Sequence, residues 1–371
     1  MPLDLRIAYF AHTVRSDWNN GNAHFLRGLL HHVGLAGSDV TIFEPGHEWS
    51  INNLREEPLG ERSLRQVEET YPDLNVELYR PEQLQEHALW RRTLHGFDLV
   101  VLHEWNPPAL AQLLLEVREE LGFRLVFHDT HHRASSSPEQ IRLFGIERFD
   151  GVLAFGEALR SIYRERFDID RVWTLHEAAD TDIFHPLPVP AKQQDVVWIG
   201  NWGEGERSDE IRRFLLDPAA TLPKYEFRIH GVRYPENGLA ALQAAGVSYG
   251  GYLPNLDAPQ TYAQSRLTVH VPRQQYSGAM TGIPTIRVFE ALACGIPLIS
   301  APWQDTEELF RPGDFAWAHD TREMVLTMQY LLTNEDAAQE QVARGLETVL
   351  QRHTCAHRAQ EFLQIAEEVL G

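Results

Sequence analysis

Short apolar runs alternate with longer segments of helical spacing along almost the whole chain, and this rhythm restricts the possible folds more than any other feature. A short strand that is apolar on both faces needs helices over both sides of its sheet, which is the parallel α/β arrangement. In the first half, strands are expected at Arg6–Phe10, Asp39–Phe43, Leu99–His103, Leu125–His128 and Gly151–Phe155. Helices are expected between them at Ala23–His32, Leu84–Thr93, Pro108–Leu121 and Pro138–Phe144. The stretch from Ser50 to Asn75 is polar, keeps neither period, and reads as an irregular excursion. In the second half, strands are expected at Asp195–Ile199, Glu226–His230, Val247–Gly250, Leu267–His270 and Pro297–Ser300. The matching helices are Asp209–Leu215, Asn237–Ala244, Pro259–Ser265 and Thr285–Cys294. Between the halves, Phe184-His185-Pro186-Leu187-Pro188-Val189-Pro190 places three prolines within five residues, a stiff non-helical connector and the best boundary in the chain.

With 371 residues the chain exceeds one ordinary domain and suits two. Asp and Glu number 53 against 33 Lys and Arg, a formal charge of −20. A surface that acidic repels phosphate backbones, so no nucleic-acid partner is expected, although a small local basic pocket is compatible with it. The two cysteines, Cys294 and Cys355, lie in apolar helical patterns and read as buried free thiols of a reducing compartment. No stretch approaches the ~18 apolar residues of a membrane span, and the N-terminus runs directly into a strand-like segment. A cytoplasmic protein with no integral membrane segment is expected.

In open α/β sheets ligands gather beyond the carboxyl ends of the strands, so polar residues that directly follow a strand carry most of the functional information. The richest stretch is Gly282-Ile283-Pro284-Thr285-Ile286-Arg287-Val288-Phe289-Glu290-Ala291-Leu292-Ala293-Cys294-Gly295-Ile296-Pro297 and the apolar run after it. Pro284 leads into a helix whose first turn can offer free backbone N–H groups to an anion. Ile286, Phe289 and Ala293 have the spacing of a buried face, while Arg287 and Glu290, three apart, share another. Gly295 stops the helix before a buried strand. The bland reading of Arg287 and Glu290 is a surface ion pair, and the Cys-Gly-Ile-Pro that follows counts against it.

This segment resembles the donor-site helix of GT-B-fold glycosyltransferases of the retaining family four, the glycosyl transferases group 1, whose pattern is Glu, then Ala-x-Ala-x-Gly-x-Pro and an apolar strand. The resemblance implies that Glu290 binds the ribose hydroxyls of a nucleotide sugar, a task that suits a carboxylate because it accepts two hydrogen bonds at once. It places Thr285, Ile286 and Arg287 among the donor-binding residues as well, with Arg287 beside the diphosphate. The family usually has a second Glu eight residues upstream, where this chain has Gly282. The Arg-x-Phe-Glu form from Arg287 to Glu290 looks more like the CgeB-type, spore-protein glycosyltransferase-like branch. A second likeness is His176-Glu177-Ala178-Ala179-Asp180-Thr181-Asp182-Ile183-Phe184-His185-Pro186, which matches the family's Asn-Gly-Val-Asp-Thr-x-x-Phe-x-Pro segment at Asp180, Thr181, Phe184 and Pro186. Its implied role is structural.

After the first strand of the second half comes Gly200-Asn201-Trp202-Gly203-Glu204-Gly205-Glu206-Arg207-Ser208, whose glycines permit close backbone approach to a ligand. The resemblance makes this the diphosphate loop, with Gly200, Asn201 and the basic Arg207 as its contacts. Arg233 and Arg273 follow other strands and are further candidates, or simply solvated arginines. In the first half, Trp18-Asn19-Asn20-Gly21-Asn22 leads into a helix and resembles the loop facing the donor phosphates at Gly21; turn-forming residues alone would give the same composition. Two strands end in His103-Glu104 and His128-Asp129. The second pair matches the family's His-Asp, which implies that His128 lies near the transferred sugar and steadies charge at the anomeric carbon. Glu104 or Asp129 would deprotonate the acceptor hydroxyl, or these groups cap helices instead. The run from His128 to Arg133 is rich in ligating side chains, but consecutive loop residues seldom converge on one point, so no metal is expected. His31-His32 reads as a partly buried helical pair. Thr354 is a plausible cap for a last helix with the apolar stripe Phe362, Ile365, Ala366 and Val369.

The resemblance therefore implies an α/β chain of GT-B architecture. Residues 1–185 would bind the acceptor, 191–350 the donor, and 351–371 would form a helix returning to the first domain. The active site would lie in the cleft between the two Rossmann-like domains, whose closure excludes water. The implied reaction moves a sugar from a nucleoside diphosphate sugar to a carbohydrate or other small-molecule or glycoconjugate acceptor, with no further cofactor. Two alternatives share the fold: a nucleotide-sugar epimerase, and a degenerate nucleotide-sugar-binding protein. Release of nucleoside diphosphate separates the three.

Overall fold

The computed structural model describes residues 4–203 and 205–371, so Glu204 of the glycine-rich loop and the first three residues lie outside the described residues. The chain divides into two units: Met1–Glu177 together with Cys355–Gly371, and Ala178–Thr354. Each is built on an all-parallel sheet, as both-sided burial of the strands requires.

In the first unit the strands are β1 (Arg6–Phe10), β2 (Asp39–Pro45), β3 (Asn75–Tyr79), β4 (Leu99–His103), β5 (Arg124–Asp129), β6 (Gly151–Ala154) and β7 (Val172–Thr174). Their order is β3-β2-β1-β4-β5-β6-β7, so the direction of winding reverses between β1 and β4. Every residue of β4 is buried, as are all but the first of β1. The last helix, Cys355–Leu370, packs on the Ala23–Leu35 helix through Cys355, Phe362, Ile365, Ala366 and Val369 on its buried side. In the second unit the strands are β8 (Gln194–Ile199), β9 (Phe227–His230), β10 (Ser248–Tyr249), β11 (Ser265–His270), β12 (Leu298–Ser300) and β13 (Ala316–Trp317). The order β10-β9-β8-β11-β12-β13 reverses between β8 and β11. Val196, Trp198, Phe227, Ile229, Leu267, Val269 and Ile299 from the strands meet Phe214, Leu215, Met324 and Met328 from the helices in one core.

Three expectations need correction. The stretch from Ser50 to Asn75 is not irregular: it forms the Trp49–Glu56 and Gly60–Thr70 helices and then enters β3. Glu48 caps the first of these, its carboxylate accepting from Ser50 N at 2.7 Å and Ile51 N at 3.3 Å. Only Ile51, Leu54, Leu64 and Val67 carry the apolar face, and β3 is an edge strand with three exposed residues, so neither period stands out in a polar segment. The segment Leu84–Thr93 is not one helix; Glu86, at φ −94° and ψ 68°, separates a Pro81–Gln85 3-10 turn from the His87–Thr93 helix. The proline run lies inside the second unit, with Pro186 against Gly295. The units meet in sequence at 177–178, because Ala179 bridges Thr354 and its N–H donates to His353 O at 3.1 Å. Both cysteines are free and buried, and burial pushes the Cys294 thiol up, which leaves it unreactive. No described helix is long and apolar enough to cross a membrane.

Candidate functional site

The second unit gathers its unusual residues at the β8–β11 switch point, where an open parallel sheet leaves a crevice beyond its carboxyl ends. The loop after β8 runs in backbone contact with the turn after β9: Gly200 N donates to His230 O at 2.8 Å, and a Cβ on Gly231 would lie 2.1 Å from Gly200 O. Gly203, at φ +85°, leaves room that a Cβ would take from Arg207, 2.6 Å from its Cγ. Arg207 is buried; its Nε and Nη2 donate to Asn201 O at 3.1 and 2.7 Å, and its guanidinium lies over Trp198, 5.1 Å from the ring centroid. Burial, then the charge of Arg273, lowers its pKa to about 9. It is still a cation at neutral pH, and one that an anionic ligand would relieve. Arg273 itself is paired with Glu206, and Arg233 is exposed.

The helix expected from the Gly282–Pro297 pattern is Ile286–Ala293, between β11 and β12. Because that crossover joins parallel strands, its N-terminus sits at the carboxyl edge. Thr285 is the extended residue before it, makes no side-chain cap, and no acid occupies the first turn. Ile286, Phe289 and Ala293 are buried, as their spacing requires. Glu290 is completely buried, so the Arg287–Glu290 contact is no surface pair. Asn255 Nδ2 donates to Glu290 Oε1 at 3.0 Å, and Arg287 Nη1 to Oε2. The carboxylate also raises the pKa values of Tyr262 and Cys294, after burial itself. Gly282 holds φ +91°; a Cβ there would stand 2.6 Å from Thr306 Oγ1 and 2.9 Å from Glu307 Oε1. The space near Gly282 is thus occupied by a carboxylate from another loop.

The first unit carries a separate polar cluster at its own switch point. His103 and His128 are register partners at the ends of β4 and β5, and Glu104 N donates to His128 O at 3.0 Å. Tyr9 OH lies 2.6 Å from His128 Nδ1, Tyr163 OH donates to Asp129 Oδ2 at 2.5 Å, and Arg133 pairs with Glu104. Thr130 Oγ1 joins His103 Nε2 at 2.9 Å to Asn22 Nδ2 at 2.5 Å, which anchors the residue after Gly21. Gly21 is exposed in the turn before the Ala23–Leu35 helix. His128, Glu104 and Asp129 are all fully buried. Burial holds His128 near a pKa of about 3, so its imidazole is neutral. Burial also raises both carboxylic acids, Glu104 further through the charge of Asp129, so the pair retains protons that exposed acids would release. In the run from His128 to Arg133, the rings of His131 and His132 lie 4.0 Å apart at a tilt of 32°, and the backbone N–H of His131 donates to Asp129 Oδ1 at 2.9 Å. Among the described residues, no group of side chains close enough to share a metal ion includes any of these. His31 and His32 are half-buried, their rings 5.1 Å apart, with His31 Nδ1 2.6 Å from Asp73.

Residues 207–364 match the family model described as glycosyl transferase-like. Across the whole chain, the fold is similar to that of a glycosyltransferase from Rickettsia africae, with a TM-score of 0.68 at 12% identity and 99% of each chain covered. It is equally similar to HepE of Anabaena in complex with UDP and glucose (TM-score 0.69, 14% identity, 97% of this chain and 98% of that one). Sucrose-phosphate synthase from Thermosynechococcus elongatus gives 0.68 at 15% identity, with 98% of both chains covered. The chain has the glycosyltransferase GT-B fold. The glycosyl transferase-like match lies over most of the second unit. No curated protein sequence matches it. The Glu290 helix falls inside the matched domain, as do Arg207, Arg273, Thr285, Ile286 and Arg287. Two residues of this site were not expected from the sequence: Asn255, which has no motif around it, and His270, the last residue of an apolar strand.

Proposed function

We propose that this GT-B glycosyltransferase moves a sugar from a nucleoside diphosphate sugar to a hydroxyl of a carbohydrate, small-molecule or glycoconjugate acceptor, with retention at the anomeric carbon. The observation that carries the reading is a fully buried carboxylate, Glu290, held by Arg287 and Asn255 on a helix whose N-terminus faces the crevice of the matched domain. Glu290 would take the ribose diol. The helix N-terminus at Thr285 and Ile286, the backbone of Gly200 and Asn201, and the cations Arg207, Arg287 and Arg273 would take the diphosphate. HepE, of similar fold, has been solved with UDP and with UDP-glucose, which supports this class of donor. In the first unit, neutral His128 would serve as a hydrogen-bonding group for the transferred sugar. Asp129, the less raised of the two acids, would take the proton of the acceptor hydroxyl, while Glu104, raised to about 8, would keep its own proton at neutral pH. The glycosyl transferase-like domain favours transfer over epimerisation and over binding without turnover. The reading includes a cytoplasmic location and no metal, since helix N–H groups and arginines neutralise the leaving diphosphate.

The test is thermal stability against a panel of nucleoside diphosphates and nucleotide sugars, followed by an assay for released nucleoside diphosphate in EDTA. One nucleotide family should raise the melting temperature, and that nucleoside diphosphate should appear only as donor is consumed. A product that is still a nucleotide sugar would refute transfer.

A further inference from the structure

At the carboxyl end of β11 one buried atom has no hydrogen-bond partner among the described residues, and its neighbours determine what it can bind. His270 ends β11 beside the β8–β11 switch point and is buried. Its Nδ1 lies 2.8 Å from Ser300 Oγ. Ser300 Oγ is also 2.8 Å from the carbonyl oxygen of Ala301 and 3.1 Å from Nε1 of Trp303. A carbonyl brings no proton, so the one hydroxyl proton of Ser300 points at Ala301 O. The indole N–H only donates, and it takes one lone pair of Oγ. The imidazole must therefore bring its own proton, on Nδ1, to the other lone pair. Burial, then the charge of Arg207, holds the ring near a pKa of about 3, so it is neutral at physiological pH and Nε2 keeps a bare lone pair. Nε2 is buried and has no hydrogen-bond partner among the described residues.

We propose that His270 Nε2 is the acceptor for a hydroxyl of the nucleotide sugar bound by the second unit, and that it selects an uncharged, hydroxylated part of that ligand at this point. The proposal rests on the reading of the second unit as the donor-binding unit. A diphosphate oxygen at neutral pH offers only lone pairs, so it is repelled by Nε2, while the neighbouring Arg207 attracts it. The two residues thereby sort the ligand: the anion goes to the guanidinium and an O–H donor to the imidazole. The hydroxyl belongs either to the ribose or to the transferred sugar, and Ser300 and Trp303 act as positioning residues that hold the tautomer.

The experiment uses the full chain labelled with 15N-histidine, with UDP and UDP-glucose as probes, and reads the two ring nitrogens of His270 by long-range proton–nitrogen correlation. The free chain should show the Nδ1–H tautomer, and saturation with UDP-glucose should shift Nε2 as it accepts a hydrogen bond. A shift already complete with UDP assigns the ribose hydroxyl; one that needs UDP-glucose assigns the sugar. His270→Phe, which keeps the ring volume and loses the acceptor, should bind UDP-glucose about tenfold more weakly. An Nε2 signal unmoved at saturation overturns the proposal, whether Nε2 is bare or already holds a trapped water. So does equal affinity in a folded His270→Phe variant, and if that variant unfolds, the spectrum of the unmodified chain decides alone. If the stability panel selects another nucleoside diphosphate and its sugar, that pair replaces UDP and UDP-glucose as probes. Failure of the unmodified chain to bind any member of the panel would instead defeat the donor-site reading, and this proposal with it.

Discussion

Glu290→Gln isolates the charge of the proposed ribose ligand while keeping its shape. The wild-type carboxylate is fully buried and accepts from Asn255 and Arg287, and its charge strengthens each hydrogen bond it accepts, that of a diol included. In the variant the amide oxygen can keep the Asn255 bond, but the amide N–H₂ faces the Arg287 guanidinium, donor against donor. A hydrogen bond to a charged group contributes about 1.5–3 kcal/mol; Arg287 is 27% exposed and can turn to water, so about 1–2 kcal/mol of stability should be lost. For a unit of this size that is a fall of roughly 2–8 °C in melting temperature. Losing a charge-assisted bond to the diol should add roughly 2 kcal/mol to the binding free energy, about a thirtyfold rise in Kd. At a nucleotide concentration of about 100 times the wild-type Kd, the wild type gains about 2.7 kcal/mol and the variant only about 0.9 kcal/mol. Thermal melts of both proteins with and without UDP, or whichever nucleotide the panel selects, measure both quantities. A variant that melts lower but keeps the full ligand-induced shift would show Glu290 to be a structural anchor only, and the donor-site assignment would fall.

Three further outcomes follow from the same geometry. His270, held near a pKa of about 3, is a group whose folded pKa is depressed below about 6.5, so the unfolded chain takes up its proton first and stability is lost as pH falls. Between pH 7 and 5 it should cost about 2 kcal/mol, and His270→Phe should flatten the acid limb of melting temperature against pH; an unchanged limb would exclude a buried neutral histidine there. Gly282→Ala should lower stability by about 1–3 kcal/mol in a denaturant titration, because φ is +91° and Thr306 Oγ1 stands where the Cβ would go; a neutral result would mean the 282 turn rearranges freely. Tyr163→Phe strips a buried donor from Asp129 and should cost about 1–3 kcal/mol by the same titration, with no loss of nucleotide binding by the second unit.

Much of the fold was legible in local pattern. β1 and β4 were readable to the residue, because a strand buried on both faces is a nearly continuous apolar run, broken here only by Arg6 at the start of one and His103 at the end of the other. The Ile286–Ala293 helix was readable from Pro284, its apolar spacing and Gly295. β3 was not, since an edge strand with exposed positions keeps no continuous apolar run, and the two helices before it hide a narrow buried stripe among charged residues. The burial of Glu290 was only half legible: its helix was visible, but Asn255 reaches it from 35 positions away with no motif to announce it.

The sequence by itself determined which segments are strands buried on both faces, which polar residues stand at their carboxyl ends, and that a carboxylate and an arginine share one turn of a helix. These are statements about a residue and its near neighbours, and local spacing encodes them. Tertiary structure decided which strand ends lie side by side, since the reversals at β1–β4 and β8–β11 arise from the long-range order of pairing. That order joins Tyr9 to His128 and His270 to Ser300, and with them the protonation of buried rings and the raised acids of the first unit. Such properties depend on burial and on partners distant in the chain, and no local spacing specifies either.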